Sequence, residues 1–271
     1  MSRGVSLAKF TDNIPNEDSF CATDKCIAVS DGAGGCGLFA NEWSRYLIDK
    51  LPKDKSITTF EELDEWVDGI WEEFYNKHEA IVRSGDGVLQ NKFYNEGSCA
   101  TIAAVWRTST DKCRWMVYGD SVAFHYDMNS GVLEHSFTRL VDFSKPPMLI
   151  SCKDPLEEEG FRSGEFATGK DSVVFVASDA LSHYILMMYE LSKCKEFYEE
   201  LMEERNAQSG NSQLLMTAET MKIDFRNDVI RPLSAATVSD KAFEEYAKGL
   251  YAEGVLDIDD YTVACFSLPV V

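Results

Sequence analysis

The chain has 271 residues, 45% of them hydrophobic and 27% charged, with a formal net charge of −20; it is long enough to bury a sizeable core, and its acidity weighs against nonspecific nucleic-acid binding, because a phosphate backbone would be repelled. No run approaches the roughly 20 apolar residues that cross a bilayer, and Met1-Ser2-Arg3-Gly4-Val5 lacks the apolar stretch of a secretory leader. The eight cysteines are scattered, none in a CxxC pair and several inside apolar runs, so the expectation is a cytoplasmic protein with reduced thiols and no membrane partner.

Residues 5–30 read as short strands around a Pro/Asn/Glu/Asp turn. Residues 38–51 read as a helix, with Leu38, Trp43, Tyr46, Leu47 and Leu51 roughly on one side. Thr59 and Glu62 form a capping-box pair, after which Phe60, Leu63, Val67, Ile70 and Phe74 recur at helical steps and predict one continuous helix. Between Ser98 and Phe137 three apolar runs, 100–106, 114–118 and 122–126, alternate with short polar turns in the manner of an antiparallel meander. Residues 139–165, with Pro146-Pro147 and several acids, read as a long surface loop. A strand over 173–178 follows, then mostly helix over 181–228, a helix over 240–252 and a closing strand over 261–268. There is no repeat, linker or break in composition, so a single domain spanning 1–271 with mixed α and β structure and antiparallel sheet is expected.

Three aspartates lie at the edges of strand-like runs: Asp31 after Cys26–Ser30, Asp179 after Val173–Ser178, and Asp259 just before Tyr261–Leu268. Glu17 and Asp120 add acids in Asn16-Glu17-Asp18-Ser19 and Gly119-Asp120-Ser121. Carboxylates brought together from distant segments repel, and hard divalent cations are what makes such crowding tolerable. Gly32-Ala33-Gly34-Gly35-Cys36-Gly37 matches the G-x-G-x-x-G dinucleotide pattern. However, Asp31 would repel a pyrophosphate, and the helix that follows leaves no room for the second parallel strand of that motif. A turn at a metal site ranks first for this loop, a plain turn second and a nucleotide loop third.

The ordered set Asn16-Glu17-Asp18-Ser19, Ala28-Val29-Ser30-Asp31-Gly32-Ala33-Gly34-Gly35, Gly97-Ser98-Cys99-Ala100-Thr101, Tyr118-Gly119-Asp120-Ser121, Ala177-Ser178-Asp179-Ala180-Leu181 and Asp259-Asp260-Tyr261-Thr262-Val263 resembles the protein phosphatase 2C family of metal-dependent Ser/Thr phosphatases, in its compact bacterial branch. The resemblance runs from about residue 5 to residue 268. It implies an α+β fold, a four-layer α-β-β-α sandwich of two antiparallel sheets flanked by helices, with residues 190–240 as a helical flap-like insertion. It also implies two Mg2+ or Mn2+ ions and a weaker third. Asp31 would bridge the pair, Glu17 and the Gly32 carbonyl would hold one ion, Asp179 and Asp259 the other, and Asp120 would serve the third. Asp31, Asp179 and Asp259 thereby become the expected catalytic residues and a phosphorylated protein the expected partner. Oxygen donors suit such hard ions, whose chemistry is to lower the pKa of water and so supply a nucleophile for in-line attack at phosphorus. No cysteine is followed six positions on by arginine, consistent with a reaction that needs no phosphocysteine.

The chain departs from the family at several positions. Asn13 stands where a phosphate-clamping arginine is usual, with Lys9 or Arg3 as nearby substitutes. Ala33 stands in place of a histidine and Val122 in place of an arginine, while His183 occupies a third-ion carboxylate position. For single residues plainer readings stay open: Asp179 as a helix cap, Asp120 as a turn residue, Asp260 as the neighbour confused with Asp259, and His183 as a helix residue beside the site. His78, His125 and His135 read as structural. The competing reading of the whole chain is a catalytically weak pseudophosphatase that binds phosphoproteins.

Overall fold

A computed structural model describes residues 2–10, 14–207 and 222–266. Its strands are β1 (Arg3–Leu7), β2 (Ser19–Ala22), β3 (Cys26–Ser30), β4 (Cys99–Ala100), β5 (Ile102–Arg107), β6 (Lys112–Tyr118), β7 (Val122–Asp127), β8 (Val132–His135), β9 (Ile150–Ser151), β10 (Phe161–Ala167), β11 (Ser172–Ala177) and β12 (Tyr261–Cys265). Two five-stranded sheets form, in the orders β1-β12-β11-β7-β8 and β10-β6-β5-β3-β2, and every pairing is antiparallel. The helices are α1 (Ala40–Lys50), α2 (Phe60–Asp68), α3 (Trp71–Val82), α4 (Gly87–Glu96), α5 (Asp179–Ser192), α6 (Tyr198–Ala207), α7 (Arg231–Ala236) and α8 (Asp240–Ala252).

Alternation along the strands explains the layers. Ile27 and Val29 of β3, Ala103 and Val105 of β5, and Val174 and Val176 of β11 meet in one apolar seam between the sheets. Their neighbours point the other way. Cys26, Ala28, Ile102 and Ala104 pack with Trp43, Leu47, Leu63 and Phe74 of the first helices, while Val173, Phe175 and Val263 pack with Tyr184, Ile185, Leu233 and Phe243 of the later ones. The result is the expected α-β-β-α sandwich. Central strands buried on both faces lose the polar alternation of a half-exposed sheet, which is why they read as continuous apolar runs.

Four local expectations need correction. The single helix expected from Phe60 to Phe74 is broken into α2 and α3 at Gly69-Ile70, where glycine weakens the helix. Thr59 does cap α2, accepting from the Glu62 N–H, but the Glu62 carboxylate turns to the Thr58 N–H and hydroxyl. The meander is not one sheet: β5 and β6 pair with each other, whereas β7 pairs with β11 and β8 in the opposite sheet. The expected 139–165 loop ends early, because β10 pairs with β6 from Phe161 to Ala167 as an edge strand. Helix α4 had no counterpart in the apolar periodicity; its N-terminus is capped by Asp86, which accepts from Val88 and Leu89.

Candidate functional site

The acids gather where strands run out at one end of the sandwich. Asp31 follows β3. There Ser30 donates its hydroxyl to the Thr101 carbonyl at 2.7 Å, and the Thr101 N–H donates to the Asp31 carbonyl at 2.8 Å. The chain then turns through glycines packed closely against Glu17 and the start of α1. A Cβ on Gly32 would lie 2.7 Å from the Ala40 and Glu17 carbonyls, and one on Gly34 would lie 2.1 Å from a Glu17 carboxylate oxygen. The glycine-rich loop therefore wraps Glu17. Strand β3 has antiparallel neighbours on both sides, β2 and β5, which excludes the dinucleotide arrangement.

Asp120 sits at the crossover from one sheet to the other. Gly119 makes that turn with φ 98°, and a Cβ there would strike Thr101 at 2.6 Å, so glycine is required on both conformational and steric grounds. Arg162 of β10 donates to the Gly119 carbonyl at 2.7 Å. Asp179 is the first residue of α5, behind Ser178 as N-cap, rather than the cap itself; its carboxylate accepts from the Ala180 N–H at 2.6 Å. The Thr262 N–H donates to the Ser178 hydroxyl and the Ser178 N–H to the Thr262 carbonyl, which lays the end of β11 beside the start of β12 and so sets Asp179 near Asp259.

The two consecutive acids before β12 do different things. Asp260 is buried and accepts from the backbone N–H of Lys9 and of Glu17, each at 2.7 Å. It ties the amino-terminal segment and the Glu17 loop to β12. Asp259 instead meets the Lys9 ammonium at 2.9 Å. Asp120, Asp179 and Asp259 line a cavity of about 180 Å³ together with Phe143, Ala180, His183 and Asp257. His183 is engaged elsewhere, with its Nε2 2.8 Å from Glu204 of α6. His78 and His125 are bound within the body of the fold, to Phe74 and Glu42 and to Glu134 and Ser172.

The electrostatics are those of a crowded acid site. Burial is the largest influence on Glu17, Asp31, Asp120 and Asp179 and raises the pKa of each. Asp31 is pushed well above the usual carboxylate range by burial and then by Asp18, Asp179, Asp120 and Asp259. Asp120 rises to about 7 through burial and Asp179, with Arg162 pulling it back. Asp179 rises to about 6 through burial and Asp259, moderated by Ala180 N–H, Asp31 and Lys9. Glu17 is raised by burial and by Asp260 and Asp259, against the pull of Lys9 and the Gly34 N–H. Burial works against the Lys9 ammonium, yet Asp259, Asp260 and Glu17 hold it charged more strongly than an ordinary lysine. Glu17, Asp31, Asp120, Asp179, Asp259 and the Gly32 loop are thus brought together at one rim. Asn13, the position of the missing clamp, lies outside the described residues.

Asp18 is the acid that sequence reasoning passed over. It is 6% exposed and neither carboxylate oxygen has a hydrogen-bond partner among the described residues. Burial lifts it to about 8, the Thr262 and Ser178 hydroxyls pulling the other way and Asp179 and Asp260 adding to the rise. The signal available was its place directly after Glu17 at the mouth of β2; nothing local distinguishes such an acid from a loop residue. Among the described residues no three acidic, histidine or cysteine side chains stand round one point so as to hold an ion as they are. The donor chemistry at the rim nevertheless fits hard divalent cations: carboxylate oxygens, both of Asp18's orphaned and buried, and among the described residues there no thiolate or free imidazole.

No protein-family model matches the chain, and no curated protein matches it. Among solved structures it is similar over nearly its whole length to bacterial serine/threonine phosphatases. The Mycobacterium tuberculosis phosphatase PstP/Ppp matches with a TM-score of 0.54 at 16% identity, covering 98% of this chain and 97% of that one. Stp1 of Staphylococcus aureus matches at 0.51 and 12% identity, covering 97% and 93%. PppA, a regulatory component of the type VI secretion system of Pseudomonas aeruginosa, matches at 0.51 and 13% identity, covering 98% and 96%. The fold is that of the protein phosphatase 2C family. Among the described residues no helix is long and apolar enough to cross a membrane.

Proposed function

We propose that this chain is a metal-dependent phosphoprotein phosphatase that hydrolyses phosphoserine or phosphothreonine in the cytoplasm. The observation that carries the reading is the convergence of Glu17, Asp31, Asp120, Asp179 and Asp259 at one rim of a phosphatase 2C sandwich. Asp31, central among the acids, would be shared between two Mg2+ or Mn2+ ions, with Glu17 and the Gly32 carbonyl holding one, Asp179 and Asp259 the other, and Asp120 a weaker third. Bound there, the ions supply water of lowered pKa and neutralise the phosphoryl oxygens. The protein's own part is to hold these carboxylates where the strands run out, burial of Asp18, Asp31, Asp120 and Asp179 opposing their ionisation until cations offset the charge. Lys9 beside Asp259 and Arg162 beside Asp120 are cations at the acidic rim that could meet a phosphate. Helix α6, which falls within the flap-like 190–240 insertion, stands beside the cavity through Glu204 and His183 and would flank the bound phosphoprotein.

The test is hydrolysis of p-nitrophenyl phosphate with Mn2+, abolished by EDTA and followed by turnover of a phosphothreonine peptide. A chain inactive with every divalent ion would be the pseudophosphatase. That second reading is favoured by the Lys9–Asp259 ion pair and by the lack of a ready-made ion cage among the described residues.

A further inference from the structure

Lys9 is placed with unusual care for a rim lysine. Its backbone N–H is held by Asp260, the same carboxylate that holds the Glu17 backbone. Its side chain, 25% exposed, returns along the rim to Asp259 at 2.9 Å. Glu17 and Asp260 are also within its electrostatic reach, and its charge is felt at Asp179. Arg162, also near the acids, approaches Asp120 from β10, with one amino group committed to the Gly119 carbonyl. The geometry points to a duty for Lys9 that rests on the metal-dependent reading: its ammonium is a tethered counter-ion of the acidic rim, standing in for a divalent ion beside Asp259 and Glu17, and it must leave Asp259 before that carboxylate can take one.

The physical reason is competition for one carboxylate. A single positive charge at contact distance partly offsets the repulsion among the acids and lets the rim fold without metal. The same charge opposes an arriving cation, both by occupying Asp259 and by like-charge repulsion. Lys9 therefore sets the metal concentration at which the site fills.

The experiment uses the full chain stripped with EDTA and titrated calorimetrically with MnCl2 alone, comparing wild type, Lys9→Met and Lys9→Arg. Lys9→Met is expected to bind Mn2+ roughly two- to fivefold more tightly, the range of a partly exposed ion pair, and to lose thermal stability in EDTA. Lys9→Arg, which keeps the charge, is expected to stay near wild type in both. A Lys9→Met affinity equal to or weaker than wild type overturns the inference. A second readout needs no variant: acetic anhydride labelling of Lys9, followed by mass spectrometry, should quicken when Mn2+ is added, and an unchanged rate overturns the inference equally. A chain that binds Mn2+ in this pattern yet turns over no phosphoester would sink the phosphatase reading and leave Lys9's role standing; an active enzyme indifferent to Lys9→Met would do the reverse.

Discussion

Between the sheets Ile27, Val29, Val105, Val117, Val174 and Val176 meet other apolar side chains; two or three residues farther along the same strands Asp31, Asp120 and Asp179 crowd against one another. Each buried aliphatic side chain in the seam stabilises the fold by about 1.5–3 kcal/mol. Each acid held in the rim works the other way, because a carboxylate removed from water without a full partner costs on the order of several kcal/mol or takes up a proton instead. The seam is what allows the rim to exist. Short continuous strands carry both regions, so a surplus of packing energy in one is transmitted as fixed positions in the other.

Four experiments separate the two regions. The largest effect is expected from Asp31→Asn, which should lower Mn2+-dependent hydrolysis of p-nitrophenyl phosphate by roughly 10²-fold or more. The same change should raise the melting temperature of the metal-free protein, because one repelling charge is gone from the rim; wild-type activity in this variant would remove the assigned role. Ile27→Ala, fully buried in the seam, should do the opposite to stability, costing about 2–5 kcal/mol in urea denaturation. If both variants shift stability in the same direction, the contrast between seam and rim is wrong.

The pH dependence is a gentler probe. Burial and mutual repulsion push Asp179 up to about 6, Asp120 to about 7 and Asp18 to about 8, against about 3.9 for an unfolded aspartate. Between those limits the native state binds more protons than the unfolded one, so stability falls as pH rises from about 4 to about 8. Metal-free melting temperatures should therefore decline across that window. Saturating Mn2+, which needs the ionised forms, should flatten or reverse the decline, and a metal-free protein that gains stability towards pH 8 would contradict the crowded-acid picture. The smallest effect belongs to Thr59→Ala, remote from both regions: loss of the α2 cap should cost about 1 kcal/mol and leave Mn2+ affinity unchanged.

What could be read before any folding was local. Apolar runs of strand length, the helical steps of residues 60–74 and acids at strand edges are properties of neighbouring residues, and each appears in the fold close to where it was expected. The break at Gly69, the Asp86 cap and the edge strand β10 were harder, because their patterns are short or half-polar: β10 alternates partly exposed residues and lies in a stretch that composition marks as loop. Which sheet takes β7 could not be read at all. Its apolar run would suit either sheet, and the choice is made by its pairing with β11, some fifty residues away in the chain.

The rim divides in the same way. Asp31, Asp179 and Asp259 are legible because a strand announces each of them, and Glu17 and Asp120 because ordered motifs do. Asp18 and Lys9 are not. Asp18 is buried within reach of Ser178 and Thr262, and Lys9, whose backbone is held by Asp260 across some 250 residues of chain, meets Asp259. Local sequence can specify a carboxylate and the strand that carries it. Repulsion, burial and a countering charge arise between segments, and they come into being when the sheets close.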